Sequence, residues 1–246
     1  MSELIADELM VQENVRGDGP FGGIGPREYR TIRSEAAFIA LPGDAGWMGF
    51  RRVLQVGSDQ VAGSQENLTA VLSGGTRDGY FKARAMLADS ARFNLGSPRT
   101  TNLPNLPLEV LHPRHARRFS VRIAGKEHVG SRNTTKLVFV ETSTPTIIRA
   151  YDNGDMRSIV AAFVDEKTGQ LWRADVITRD PRDERFTFDY VISVTFQHNK
   201  AFDLLVPATM HEDFFAGINR RAWGDAKYTN YRRFQTSARI LPQGIQ

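Results

Sequence analysis

Between Phe186 and Phe196 apolar and polar side chains alternate. Phe186, Phe188, Tyr190, Ile192, Val194 and Phe196 share one register; Thr187, Asp189, Ser193, Thr195 and Gln197 take the other, with Val191 the one apolar residue out of step. A period of two is what a pleated strand imposes, so this is a long strand with one dry and one wet face. Three phenylalanines and a tyrosine on the dry side are bulkier than a thin two-layer core requires. They point to a sheet curved around large contents.

The preceding segment extends that wall. Asp165-Glu166-Lys167-Thr168-Gly169 separates two apolar runs, and its glycine can supply a positive φ at the end of a type I turn. Folding the runs symmetrically about this turn opposes Phe163, Ala161 and Ile159 to Trp172, Ala174 and Val176, with Arg173 and Asp175 on the wet side. Consecutive strands usually neighbour one another, so hairpin and aromatic strand should form one continuous apolar surface. Further strands are expected over 29–41, 47–56, 119–123, 136–141, 146–150, 157–164, 171–179, 204–211 and 226–234. Helices are expected over 65–72 and 80–95, with a short one over 107–111; Gly96 is placed to stop the second in a left-handed conformation. These helices either fill the concave side of the sheet or leave part of it as an apolar pocket.

Several chemistries find no support. The chain has no cysteine, which removes disulfides, thiolate catalysis and cysteine-held metals. Its net charge of +4 is scattered over pairs such as Arg117–Arg118, Arg220–Arg221 and Arg232–Arg233 instead of forming the basic face of a nucleic-acid binder, so no nucleic-acid partner is expected. No apolar run approaches membrane-spanning length, and no charged-then-apolar leader follows Met1, so neither a transmembrane span nor a signal peptide is expected in the chain as it stands. Gly17 to Gly22 match G-x-G-x-x-G, but a strand follows where a dinucleotide site needs a helix. Residues 1–26 are expected to be a flexible N-terminal segment ahead of one domain over 27–246, with a helical insert at about 64–112. No metal-ligand spacing occurs among the five histidines, so neither metal nor cofactor is expected. A nucleophile elbow is also missing. A hydrolytic site would have to combine distant residues: His198 or His211 with Asp189 or Asp213.

Four local patterns resemble a known family: PTIIRAY (145–151), AFVDEKTGQLWRADVI (162–177), ISVTFQHNKAFDLLVPATMHEDFF (192–215) and AKYTNYRRFQ (226–235). Together they resemble bacterial lipoprotein-carrier proteins of the Lol type. The stretch LADSARFNLGSPRTTNLPNLPLEVL (87–111) is similar to a region of a group of exported bacterial proteins without an assigned activity. The resemblance implies an α+β, mostly β fold: a strongly curved antiparallel half-barrel sheet clasping two or three helices. It also implies a periplasmic or exported setting and an apolar concave face. The expected function is a binding protein holding a lipid, acyl or other apolar ligand, with an envelope protein as a further partner. The candidate ligand-binding residues are Phe163, Trp172, Phe186, Phe188, Tyr190, Ile192, Val194, Phe196 and Met210. The alternative is a metal-independent hydrolase of ester-like substrates with a histidine and a carboxylate at the cavity mouth.

Overall fold

The computed structural model describes residues 3–18, 23–40, 46–62, 68–73, 77–150, 153–179, 190–215 and 220–234. The strands are β1 (Glu3–Asp18), β2 (Gly23–Ala40), β3 (Trp47–Val56), β4 (Asp59–Gln60), β5 (Phe119–Val129), β6 (Arg132–Glu141), β7 (Ile148–Arg149), β8 (Asp155–Asp165), β9 (Leu171–Arg179), β10 (Tyr190–Asn199), β11 (Leu204–Phe215) and β12 (Arg220–Phe234). They form one open antiparallel sheet in the order β4-β3-β2-β1-β12-β11-β10-β9-β8-β6-β5, with β7 on β8. Three short helices lie between β4 and β5: α1 (Leu68–Ser73), α2 (Arg77–Ser90) and α3 (Leu106–Val110).

The sheet must curl. Strands β3 and β9 lie six steps apart along it, roughly 29 Å if it were flat at ~4.8 Å per step. Yet the five-residue helix α3 touches both. Bulges supply the bending. On β12, Asn230 and Tyr231 together oppose Ala6, and Asn230 takes φ 51°, a left-handed conformation asparagine tolerates. Other register shifts interrupt the β2–β3, β8–β9 and β10–β11 pairings.

Cross-strand partners share a face, so the register defines an inner and an outer surface. Met10, Ile32, Val53, Ala174, Tyr190, Ile192, Val194, Phe196, Met210, Ala226 and Tyr228 form one buried cluster on the inner face. It is covered by the segment 91–118, called the strap below, in which α3 is flanked by 3-10 turns at Ala91–Phe93 and Pro113–Arg118. Val110, Leu106 and Leu111 of the strap continue the core onto Val160, Val176 and Phe139. By contrast, α1 and α2 pack on the outer face of β1 to β3. Leu68, Val71, Leu72 and Ala83 meet Ile5, Ala37, Ile39 and Phe50 there. The two longer helices expected as concave filling therefore lie on the far side, and the strap takes their place.

Two expectations are corrected by this geometry. The N-terminal stretch, expected to stand apart from the domain, supplies β1 at the middle of the sheet, paired with β2 and β12. Its ladder runs on through Gly17 and Asp18, opposite Ile24 and Gly23, so strand continues into the glycine-rich part of the segment expected to be flexible; residues 19–22 lie outside the described residues. In the 165–169 hairpin, Gly169 takes the expected positive φ of 70°, and the Asp165 carboxylate accepts from the amides of Lys167 and Thr168. A register shift next to Trp172 then moves the pairing by one residue: Phe163 faces Arg173, and Ala162 faces Ala174. One residue of slip exchanges the faces of a strand. Ile159, Ala161 and Phe163 are therefore outer, while Val160 and Ala162 line the interior.

The strap lies close enough to the sheet for glycine to matter at Gly49 of β3. A Cβ there would collide with the Asn105 amide oxygen and the Leu103 side chain. Gly49→Ala is expected to cost about 1–3 kcal/mol. Denaturant unfolding measures the loss, and amide exchange should accelerate across 100–111 while β10 and β11 stay protected.

Candidate ligand site on the inner face

Strand alternation and register bring five of the nine predicted ligand-binding residues together. Tyr190, Ile192, Val194, Phe196 and Met210 are buried in the inner cluster, with Ile192↔Glu212 and Val194↔Met210 as cross-strand pairs. Phe186 and Phe188 lie outside the described residues. The other two are elsewhere. Phe163 is on the outer face, its ring flanked by the Arg173 guanidinium at 5.1 Å and the Lys136 ammonium at 5.3 Å. Trp172 sits at the hairpin bulge beneath Arg132, 3.5 Å from its guanidinium carbon.

The middle of the inner face is a buried polar network. Glu212 shares the inner register with Met210 and Phe214, and it is fully buried. Arg99 of the strap holds it with two contacts, Nε to Oε2 at 3.0 Å and Nη2 to Oε1 at 2.6 Å. Gln12 of β1 donates to the same Oε1 at 2.9 Å and to Asn94 Oδ1 at 2.9 Å, and accepts from the Leu95 amide at 3.0 Å. Asn102 donates to Asn94 at 2.8 Å. Next to it, Arg51 of β3 donates to Glu8 at 2.7 Å and to the Asn102 side chain at 2.9 Å, while the Tyr228 hydroxyl donates to Glu8 at 2.7 Å. The strap is thus pinned to β3 and β11 by charge-assisted bonds and to β1 through the Gln12 amide, with apolar contacts on either side.

Electrostatics follow from this burial. Desolvation, reinforced by Glu212 for Tyr190 and by Glu8 for Tyr228 and Tyr231, pushes the three phenols well above their ordinary range. Burial would lower Arg51, but the Glu8 carboxylate together with Tyr228 and Glu212 outweighs it and holds the guanidinium firmly charged.

The inner apolar surface runs past the strap. Edge strand β5 pairs Val121 with Phe139 and Ile123 with Leu137 on the inner side, and Phe139 packs against the inner core. Yet Val121 is 54% exposed and Ile123 74%. At this end of the half-barrel the greasy lining is open to solvent.

The three candidate catalytic residues that are described, His198, His211 and Asp213, are not assembled. His198 pairs with Asp203 at 2.9 Å in the turn after β10, and His211 with Asp225 at 2.9 Å on the outer face. Asp213 is tied to Arg221, and Asp189 lies outside the described residues. Register places His198 and His211 five positions apart along β10, about 17 Å of strand. Ser193 does lie opposite His211, completing a row of carboxylate, imidazole and hydroxyl. The surrounding amides are consumed by the ladder, so no free N–H pair is on hand for a developing oxyanion. No cluster that could hold a metal ion occurs among the described residues.

No family model matches the chain, and no curated protein does. Among solved structures it is similar to a candidate outer membrane lipoprotein-sorting protein domain from Vibrio parahaemolyticus, at 9% identity and a TM-score of 0.42 over 94% of this chain and 86% of that one. It is also similar to a DUF1329 family protein from Desulfovibrio piger (11%, TM-score 0.40, covering 100% and 92%). A third is a LolA superfamily protein from Nitrosomonas europaea (8%, TM-score 0.33, covering 95% and 87%). These are likenesses in the arrangement of strands and helices; ligand and activity rest on this chain's own residues.

The residues that sequence reasoning overlooked are the polar ones: Glu8, Gln12, Arg51, Asn94, Arg99, Asn102 and Glu212. One signal was readable. Glu212 occupies a dry position between Met210 and Phe214, and a carboxylate there requires a buried cation. Arg99→Met should cost about 3–5 kcal/mol by stranding Glu212. In the double variant Arg99→Met/Glu212→Met most of that loss should return, as equilibrium unfolding will show. The buried tyrosines set an alkaline limit. Their folded-state pKa values are raised, so stability is intact below the unfolded tyrosine value of about 10 and falls as pH rises past it. Ultraviolet titration should show Tyr190, Tyr228 and Tyr231 ionising only as the protein unfolds.

Proposed function

We propose that the protein is an envelope binding protein that holds an acyl chain or similar apolar ligand against the inner face of the half-barrel. The observation that carries this reading is the exposed continuation of the inner lining at Val121 and Ile123. Monomeric proteins rarely leave contiguous apolar surface open without a use for it. Here the surface joins directly to Phe139 and the core beneath α3, so a ligand entering at β5 would run under the strap. Burial gains about 0.8 kcal/mol per methylene, enough for a long chain to compete with the strap's apolar contacts. The polar network at Arg99 and Glu212 lies farther along the same face and would keep the strap attached while its α3 end lifts.

A chain without cysteine suits an exported or periplasmic setting, which belongs to the same proposal. No helix among the described residues is long and apolar enough to cross a membrane. An envelope protein that delivers or receives the ligand would be the corresponding partner. The hydrolase reading has less support, because its candidates among the described residues are dispersed and the one aligned row there lacks an oxyanion site.

The test uses exposed positions, so that folding is not at stake. Ile123→Glu and Val121→Glu should leave the circular dichroism spectrum and melting behaviour near wild type. Each should weaken uptake of a fluorescent fatty-acyl probe about tenfold or more, because a carboxylate would have to be desolvated beside the chain. Unchanged uptake in both variants, or no uptake by the wild type after delipidation, would remove the proposal.

A further inference from the structure

Strand β1 is built inside out. Over residues 8–14 its inner positions are Glu8, Met10, Gln12 and Asn14, all buried, whereas Leu9 and Val11 point outward and are 38% and 48% exposed in the interior of the sheet. The exposed pair lies in a hollow of about 580 Å³ on the outer face, and a second hollow of about 390 Å³ adjoins it, sharing Leu9 and Lys227. Short side chains at Ser193, Thr195 and Thr209 leave room in the first, whose β11 wall also carries His211. Thr195 and Thr209 bond to each other at 2.6 Å, which uses their hydroxyls on one another.

Charge distinguishes this place from an ordinary exposed apolar pair. Leu9 is directly opposite Arg33 on β2 and Lys227 on β12, so the two cations straddle it. Neither has an ion-pair partner among the described residues. The acids nearby are engaged: Asp7 and Glu35 with Arg232, Glu35 also with Arg52, Asp225 with His211, and Asp175 with Arg173. What remains is two free positive charges at the junction of two hollows, with aliphatic surface between and beside them.

We propose that the outer face carries a second binding site, for a single-chain amphiphile with an anionic headgroup. The headgroup bridges Arg33 and Lys227, and the alkyl chain lies over Leu9 and Val11 toward Thr195 and Thr209. The site is separated from the inner lining by the thickness of the sheet and stands independently of the function proposed above.

Isothermal titration with dodecyl phosphate below its micellar concentration tests it on the full chain. Wild type should bind one equivalent at this face, and Arg33→Gln/Lys227→Gln should bind about tenfold more weakly or worse through loss of charge-assisted bonds. Val11→Ser should weaken binding too, while inorganic phosphate and uncharged dodecyl maltoside should each bind poorly, showing that head and tail are both needed. Ile123→Glu, which blocks the inner site, should leave this binding unchanged. The inference is overturned if dodecyl phosphate binds wild type and Arg33→Gln/Lys227→Gln alike. It is equally overturned if binding disappears in Ile123→Glu, or if phosphate alone binds as tightly as the amphiphile.

Discussion

The architecture depends on one ion pair. Arg99 and Glu212 are both withdrawn from water, and their two-pronged contact joins the strap to the inner face of β11. The strap has little else of its own to hold a shape. Its helix α3 is five residues long, far below what is marginal in isolation, and its other turns are 3-10. Its conformation is imposed by what it touches. A buried pair is a poor source of net stability, since desolvating both charges offsets most of their attraction. It is effective at excluding alternatives. Any other seating of the strap leaves a carboxylate, a guanidinium and several amides buried without partners. The network at Gln12, Asn94 and Asn102 therefore makes one docking geometry far better than its neighbours.

The same arrangement explains the inverted strand. With Glu8 and Gln12 required on the inside to meet Arg51, Asn94 and Glu212, period-two geometry forces Leu9 and Val11 to the outside. Polar residues inside and apolar residues outside are one choice made once, at the level of register. Small inner residues on β12, Gly224 and Ala226, complete the picture. A Cβ at Gly224 would press within 3.1 Å of Glu212 Oε1, so the carboxylate would have to give way by a few tenths of an ångström there.

What could be read in the sequence follows from where period and polarity agree. On β10 every second residue is apolar and buried, and Tyr190 to Phe196 fall on the inner face as their alternation requires. The helices lie close to their expected places, but the second ends at Ser90, ahead of a 3-10 turn at Ala91–Phe93, so Gly96, although its φ is 84°, is not what stops it. Legibility failed where polarity ran against burial. Glu8, Gln12 and Asn14 look like a wet face, and the stretch expected to be a flexible segment is an interior strand paired on both sides. It also failed where one residue decides everything. Nothing in AFVDEKTGQLWRADV announces a bulge at Trp172, and that shift sends Phe163 outward. Asp165 and Gly169 determine the turn, not the register two residues beyond it. Finally, the partner of a buried charge is a tertiary fact. Glu212 at a dry position signals that a cation must exist, but Arg99 is 113 residues away, and only the folded chain identifies it.

Curvature then decides how the two faces differ. On the concave side, side chains two strands apart meet: Gln12 of β1 reaches Glu212 of β11 across β12, and the rings of Phe38 and Tyr228 approach to 6.4 Å across β1. Converging side chains favour a crowded interior, and they force any inner ligand to displace something already bound. On the outer face side chains diverge, and short ones at Ser193, Thr195 and Thr209 leave room beside Leu9. A guest on that face would displace only water. The two surfaces of the sheet are therefore suited to different exchanges. Inside, release of the strap must precede or accompany occupancy, which favours slow and tight retention. Outside, access is immediate and the bound state is held by two cations and a few aliphatic carbons, which favours rapid and reversible contact.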